Sequence, residues 1–220
     1  MFQGIVIGGG PCAYNPEPVA DFFDLFNIGE GEEMLVELCR LYIKMKDEGR
    51  YNKADFLHEA ARTIPGVYVP SLYTVEYNED GTIKAYIPKY DDIPTKITKR
   101  IIQDMDKSIF PDYAIMPYTE VVHDRIMLEV FRGCIRGCRF CQAGFVYRPV
   151  RNRSRDLCAQ YGVESCNDSG YQEMTLASLS TSDYPQLTEL CDQLEDFCAQ
   201  RHVNLSLPSL RADNFSMELM

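Results

Sequence analysis

The sequence predicts an α/β protein, and three observations carry the prediction. The first sixty or so residues alternate between strand-like and helix-like apolar spacing. The same alternation returns from Arg125 and passes through three strand candidates. Between the two, prolines and an Asn-Glu-Asp-Gly turn interrupt both periodicities. Strands that alternate with helices imply parallel pairing, because each helix carries the chain back across the sheet.

Taken in order, GIVIGGG reads as a buried strand running into glycines, followed by the loop PCAYNPEP and a short helical stretch from Val19 to Asp24. LFNIG is a second short strand. GEGEE opens a helix with its acids in the first turn, where the helix dipole favours them. Met34, Leu35, Leu38, Leu41, Tyr42 and Met45 then recur at helical spacing until Gly49. Residues 1–63 hold too few βα units for a doubly wound sheet, so they are expected to be the C-terminal part of a larger α/β domain. Residues 64–124 read as a β-hairpin, GVYVPSLYTVEY and TIKAYIP about the turn Asn78–Gly81, and then a connector with a short helix from Lys96 to Met105. Over 125–220 the order is the strand IMLEVF, a helix from Arg153 to Cys166, the strand EMTLASLS, an amphipathic helix from Tyr184 to Gln200 and the strand VNLSLPSL. Leu187, Leu190, Cys191, Leu194, Phe197 and Cys198 share one face of that second helix. Three strands cannot close a barrel, so this part is expected to be the first half of one.

The 220 residues are 45% apolar and 25% charged with a net charge of −11. That composition excludes disorder as the main state and argues against nucleic-acid binding over the whole surface. No apolar run reaches the ~20 residues of a membrane helix, and the N-terminus lacks a signal-peptide pattern. A cytoplasmic location with no membrane partner is therefore expected. In a reducing compartment, nine cysteines point to metal ligation by a subset, with the rest as core thiols. Cys39, Cys191 and Cys198 are expected in the core. The charge is uneven: from Arg132 to Arg155 there are seven arginines and no acid. The later part of this run, Arg148, Arg151, Arg153 and Arg155, reads either as a solvated or charge-compensating surface, or as a site for a phosphate-bearing partner such as RNA.

Cys134, Cys138 and Cys141 carry the chemistry. They fall within eight residues, spaced Cys-x3-Cys-x2-Cys, in a loop directly after a strand. Three thiolates so close together suit one soft metal centre. Zinc prefers four ligands in separated pairs, and no fourth Cys or His lies at a suitable short spacing. A loop with three cysteines fits a cubane cluster in which one iron is left open to a small molecule.

CIRGCRFC resembles the CxxxCxΦC signature of the radical S-adenosylmethionine (SAM) enzymes, with Phe140 as the aromatic residue before the third cysteine. The flanking segments GGPCAYNPEPVADFFD, IGEGEE, EVFRGCIRGCRFCQAG and ASLSTSDY are similar to the B12-binding-domain-type radical SAM proteins of bacteria. The resemblance implies a flavodoxin-like, cobalamin-binding-like domain over 1–63 and the N-terminal half of a radical SAM barrel over 125–220. It implies a 4Fe–4S cluster on Cys134, Cys138 and Cys141, with S-adenosylmethionine on the open iron and reductive cleavage to a 5′-deoxyadenosyl radical. Phe140 would lie near the adenine. Where the family places a GGE-type element, this chain has Ser180-Thr181-Ser182-Asp183. Ser180, Ser182 and Asp183 are then the candidates for contacting the methionyl group, and Asp183 is equally a candidate helix N-cap. Cobalamin contact by Gly8 to Ala13 is conceivable from the loop's place after a strand, although the DxHxxG ligating motif is absent. The implied partner is an electron donor such as flavodoxin or ferredoxin. The reading from a different class is a non-catalytic iron–sulfur or zinc module, which would form no 5′-deoxyadenosine.

Overall fold

The structure, a computed structural model, describes residues 4–111, 115–211 and 213. The chain divides into two compact units, Met1–Ile102 and Gln103–Met220.

In the first unit, β1 (Ile7–Gly8) pairs parallel with β2 (Leu25–Asn27), Ile7 facing Leu25. Helices α1 (Gly31–Asp47) and α2 (Lys53–Thr63) follow, and β3 (Val67–Tyr68) then joins β2 antiparallel. Met34, Leu38 and Met45 of α1 are buried, together with Phe56, Leu57, Ala60 and Ala61 of α2. Asn52 caps α2 by accepting the Asp55 backbone N–H at 2.9 Å. The hairpin lies where the sequence places it: β4 (Tyr73–Tyr77) and β5 (Ile83–Pro88) pair antiparallel, and the Gly81 N–H closes the turn on Asn78 O at 3.0 Å.

Three expectations are corrected here. Val19–Asp24 is replaced by a 3-10 segment over Glu17–Phe22. The helix expected from Lys96 to Met105 is absent. Residues around Arg100 instead lie beside the chain after β2, where the Arg100 N–H donates to Ile28 O and the Glu30 N–H to Arg100 O, both at 2.9 Å. Two carboxylates, Glu33 at 2.7 Å and Glu37 at 2.8 Å, hold the Arg100 guanidinium there. Cys39 is exposed, so it is not a core thiol.

In the second unit, β6 (Ile126–Glu129) leads to the short β7 (Phe131–Arg132). The cysteine loop and a single helical turn, α3 (Ala143–Val146), follow. Next come β8 (Arg151–Asn152), α4 (Arg155–Ser169), β9 (Glu173–Ala177), α5 (Leu187–Arg201) and β10 (Asn204–Ser206). The sheet order is β10-β9-β6, all parallel, with Leu128 beside Leu176 and Leu205 beside Met174. This is the parallel βαβαβ arrangement that the alternating pattern requires. Met174, Thr175 and Leu176 of the central strand are all buried, as expected of a strand flanked on both edges. The core is Leu128, Val130, Met174, Leu176, Leu190 and Leu194 with their neighbours, and it includes Cys158, Cys166 and Cys198. Cys191 packs against it half-buried.

Candidate metal centre

The β7–β8 pair closes the base of the cysteine loop, with Phe131 opposite Asn152 and Arg132 opposite Arg151. Gly133 makes the first step into the loop. Its φ is +97°, and an added Cβ would lie 2.5 Å from Pro149 O and 2.8 Å from Tyr147 O. Both the conformation and the close backbone approach require glycine. Arg151 ties the returning strand, donating to Pro149 O at 3.0 Å and Tyr147 O at 3.3 Å.

Cys134, Cys138 and Cys141 stand on this loop as free, half-exposed thiols. The Cys134 sulfur accepts the Arg136 backbone N–H at 3.4 Å, and the Cys141 N–H donates to Cys138 O at 3.0 Å. Among the described residues, no three Cys, His, Asp or Glu side chains are already gathered as a ligand set. The loop thus carries the three thiols without converging them. Their chemistry fits an iron–sulfur cluster: soft donors, none used in a disulfide, one sulfur already receiving a backbone N–H.

The loop after β9 meets this one. Arg136 Nε donates to Asp183 Oδ2 at 2.9 Å, with a second guanidinium contact to Oδ1. Ser180 Oγ donates to the same carboxylate at 2.8 Å. The Arg136 guanidinium, and after it Ser180, hold the Asp183 carboxyl below the usual carboxylate range. Asp183 therefore does not cap the following helix: it ends a 3-10 turn, Thr181–Asp183, and the cap position of α5 is Gln186. The segment after β10 contributes Arg211. Its N–H donates to Ser182 Oγ at 3.3 Å, and its guanidinium, paired first with Asp213, also reaches Cys138. Two chain segments that follow the carboxyl ends of β9 and β10 therefore converge on the thiol loop, which itself follows β6 and β7, where α/β folds place their sites. A cavity of about 360 Å³ adjoins them, lined by Glu129, Arg132, Gly133, Tyr147, Ser178 and Leu179 among others. Phe140 is 92% exposed.

The arginine run is largely not a solvated surface. Arg132 forks onto Glu129 at 2.8 Å, Arg136 onto Asp183, and Arg155 meets Asp156 at 2.8 Å. Arg151 and Arg153 are buried. Arg148 lies over the Phe145 ring at 5.1 Å. Sequence reasoning singled out the cysteines and Ser180, Ser182 and Asp183, and missed Arg136 and Arg211 as their partners. The available signal was the position of Arg136 between the first two cysteines.

A family model described as radical SAM proteins, N-terminal, matches residues 2–70. This likeness supports membership of the radical SAM superfamily. The match lies within the first unit and its description names no cobalamin. The chain is 30% identical over 219 residues to the uncharacterized protein MJ0966 of Methanocaldococcus jannaschii, an alignment covering 99% of this chain and 40% of that protein. No solved structure matches. Among the described residues, no helix is long and apolar enough to cross a membrane.

Proposed function

We propose that this radical SAM protein holds a 4Fe–4S cluster on Cys134, Cys138 and Cys141 and belongs to an enzyme that cleaves S-adenosylmethionine reductively. The observation that carries the reading is the Arg136–Asp183 pair, which joins the thiol loop to the Ser180–Asp183 segment at the carboxyl end of the sheet. When bound, the cluster supplies the electron for cleavage and an open iron for the methionyl group. The chain's own residues do the rest. Asp183, kept ionised by Arg136, offers an anion to the methionyl amine, and Ser180 and Ser182 offer hydroxyls beside it. Phe140 projects from the loop as a ring face for the adenine. Residues 1–63 are read as the cobalamin-binding-like portion and residues 125–220 as the N-terminal half of the radical SAM barrel. An electron donor such as flavodoxin or ferredoxin is the proposed partner, and cobalamin on the Gly8–Ala13 loop is a second proposal.

Anaerobic reconstitution tests this reading. The chain should take up iron and sulfide and give a cluster Mössbauer spectrum. Its reduced EPR signal should change when S-adenosylmethionine is added. A triple Cys134→Ala, Cys138→Ala, Cys141→Ala protein should take up no cluster. Zinc uptake without iron, or a cluster whose signal ignores S-adenosylmethionine and yields no 5′-deoxyadenosine, would show a non-catalytic metal module instead.

A further inference from the structure

Arg153 is one of the largest fully buried side chains of the protein, at 2% exposure. A buried guanidinium ordinarily lies against a carboxylate, because an uncompensated charge away from water is costly. Among the described residues Arg153 has no such partner. Nε donates to Met105 O at 3.3 Å and Nη1 to Glu129 O at 3.0 Å. The guanidinium lies 5.6 Å from the Phe110 ring centre and 5.5 Å from that of Tyr161, two rings stacked on each other at 4.3 Å. The neighbouring carboxylates are engaged elsewhere: Asp106 accepts the Ser154 N–H at 2.7 Å, and Glu129 accepts from Arg132. The Arg153 backbone is equally tied, its N–H to Val130 O at 2.9 Å and its carbonyl to the Tyr184 hydroxyl at 2.8 Å.

This cation follows β8 directly, at the base of the thiol loop, and its Glu129 bond reaches a residue lining the 360 Å³ cavity. Closing a hairpin needs no charge, and an apolar side chain would fill the space at lower cost. Among the described residues no carboxylate is in hydrogen-bond contact with this cation, and what it adds is positive potential toward an anionic site. A centre built from three thiolates and sulfide is such a site.

We propose that Arg153 is a positioning residue of the metal centre: it fixes the base of the thiol loop through Met105 O and Glu129 O, and its charge favours the electron-rich, reduced state of the centre. This rests on reading Cys134, Cys138 and Cys141 as cluster ligands.

The experiment compares the wild type, Arg153→Met, Arg153→Lys and a remote core variant, Leu190→Ala, each reconstituted anaerobically. Iron release to a ferrous chelator, the cluster's midpoint potential and the thermal midpoint are measured on each. Arg153→Met should release iron at least tenfold faster than wild type and titrate at a lower potential. Arg153→Lys keeps the charge but not the fork, so its potential should stay near wild type while iron release quickens. Leu190→Ala should lower the thermal midpoint without moving potential or release rate. Wild-type potential and release in Arg153→Met would overturn the proposal, as would the same changes in Leu190→Ala. If the Met variant does not fold, wild-type iron release in Arg153→Lys overturns it. A wild-type protein that takes up no cluster sinks the ligand reading itself, a result distinct from these.

Discussion

Asp183 shows how a single residue draws its role from its partners. Its carboxyl is held below the usual range chiefly by Arg136. A depressed pKa contributes stability that is present above the unfolded value of ~3.9 and is lost as pH falls through the folded one. Asp183→Asn should therefore melt earlier than wild type at pH 6, and the gap should shrink as pH drops below about 4. Thermal scans across that range check it; a constant gap would remove the ion pair as its cause. The thiols packed in or against the core behave oppositely. Burial pushes Cys158 up to about 12 and Cys166 and Cys191 up to about 11. Their stabilisation is complete below the unfolded thiol pKa of ~8.5 and is lost as pH rises through those raised values. In metal-free protein at pH 8, a disulfide reagent should label Cys12, Cys39, Cys134, Cys138 and Cys141 rapidly and spare Cys158 and Cys166 until unfolding. The three loop cysteines were legible because their spacing is local. Arg136, Arg153 and Arg211 were not, because Arg136 meets Asp183 at 47 positions, Arg153 meets Met105 at 48 and Arg211 meets Ser182 at 29, distances in sequence that only the fold closes.

At the scale of elements, strand and helix order in the second unit was readable because it rests on apolar periodicity, which burial of the parallel sheet enforces. The misses lie where tertiary contacts override local pattern. Residues near Arg100 gave up a helix for backbone bonds to Ile28 and Glu30, with Glu33 and Glu37 holding the arginine. β3 was not separated from the hairpin because its two residues carry no period of their own. Packing sets two expected outcomes. Gly162 lies in α4 where an added Cβ would be 2.9 Å from Met174 Cε and Sδ. Gly162→Val forces a branched side chain into a fully buried methionine and should destabilise by about 2 kcal/mol in denaturant melts. Gly133→Ala places a methyl against two carbonyl oxygens at the mouth of the thiol loop. It should reduce cluster uptake severalfold while leaving far-ultraviolet circular dichroism unchanged, because the strain is confined to the loop.

At the scale of the whole molecule, each unit carries its own core. One holds Leu25, Phe26, Leu38, Phe56 and Val69, the other Leu128, Met174, Leu176, Leu190 and Leu194, and the two clusters share no residue. A large-to-small change in either core removes buried contacts and leaves a cavity its own neighbours must absorb. Leu38, 2% exposed, and Leu190, fully buried, are matched probes. Each truncation to alanine should destabilise its unit by about 2–5 kcal/mol. Substitutions without common partners ordinarily combine additively, within about 0.5 kcal/mol. Calorimetry of Leu38→Ala, Leu190→Ala and the double variant decides the matter. Leu38→Ala should lower the transition of the unit matched as radical SAM N-terminal, and Leu190→Ala that of the unit bearing the thiol loop. Cluster uptake should then survive Leu38→Ala at temperatures where the first unit has begun to melt, because Cys134, Cys138 and Cys141 and the segment holding Asp183 all belong to the second. If both truncations displaced one shared transition equally, the two cores would unfold as a single cooperative body, and the metal centre would depend on the integrity of both.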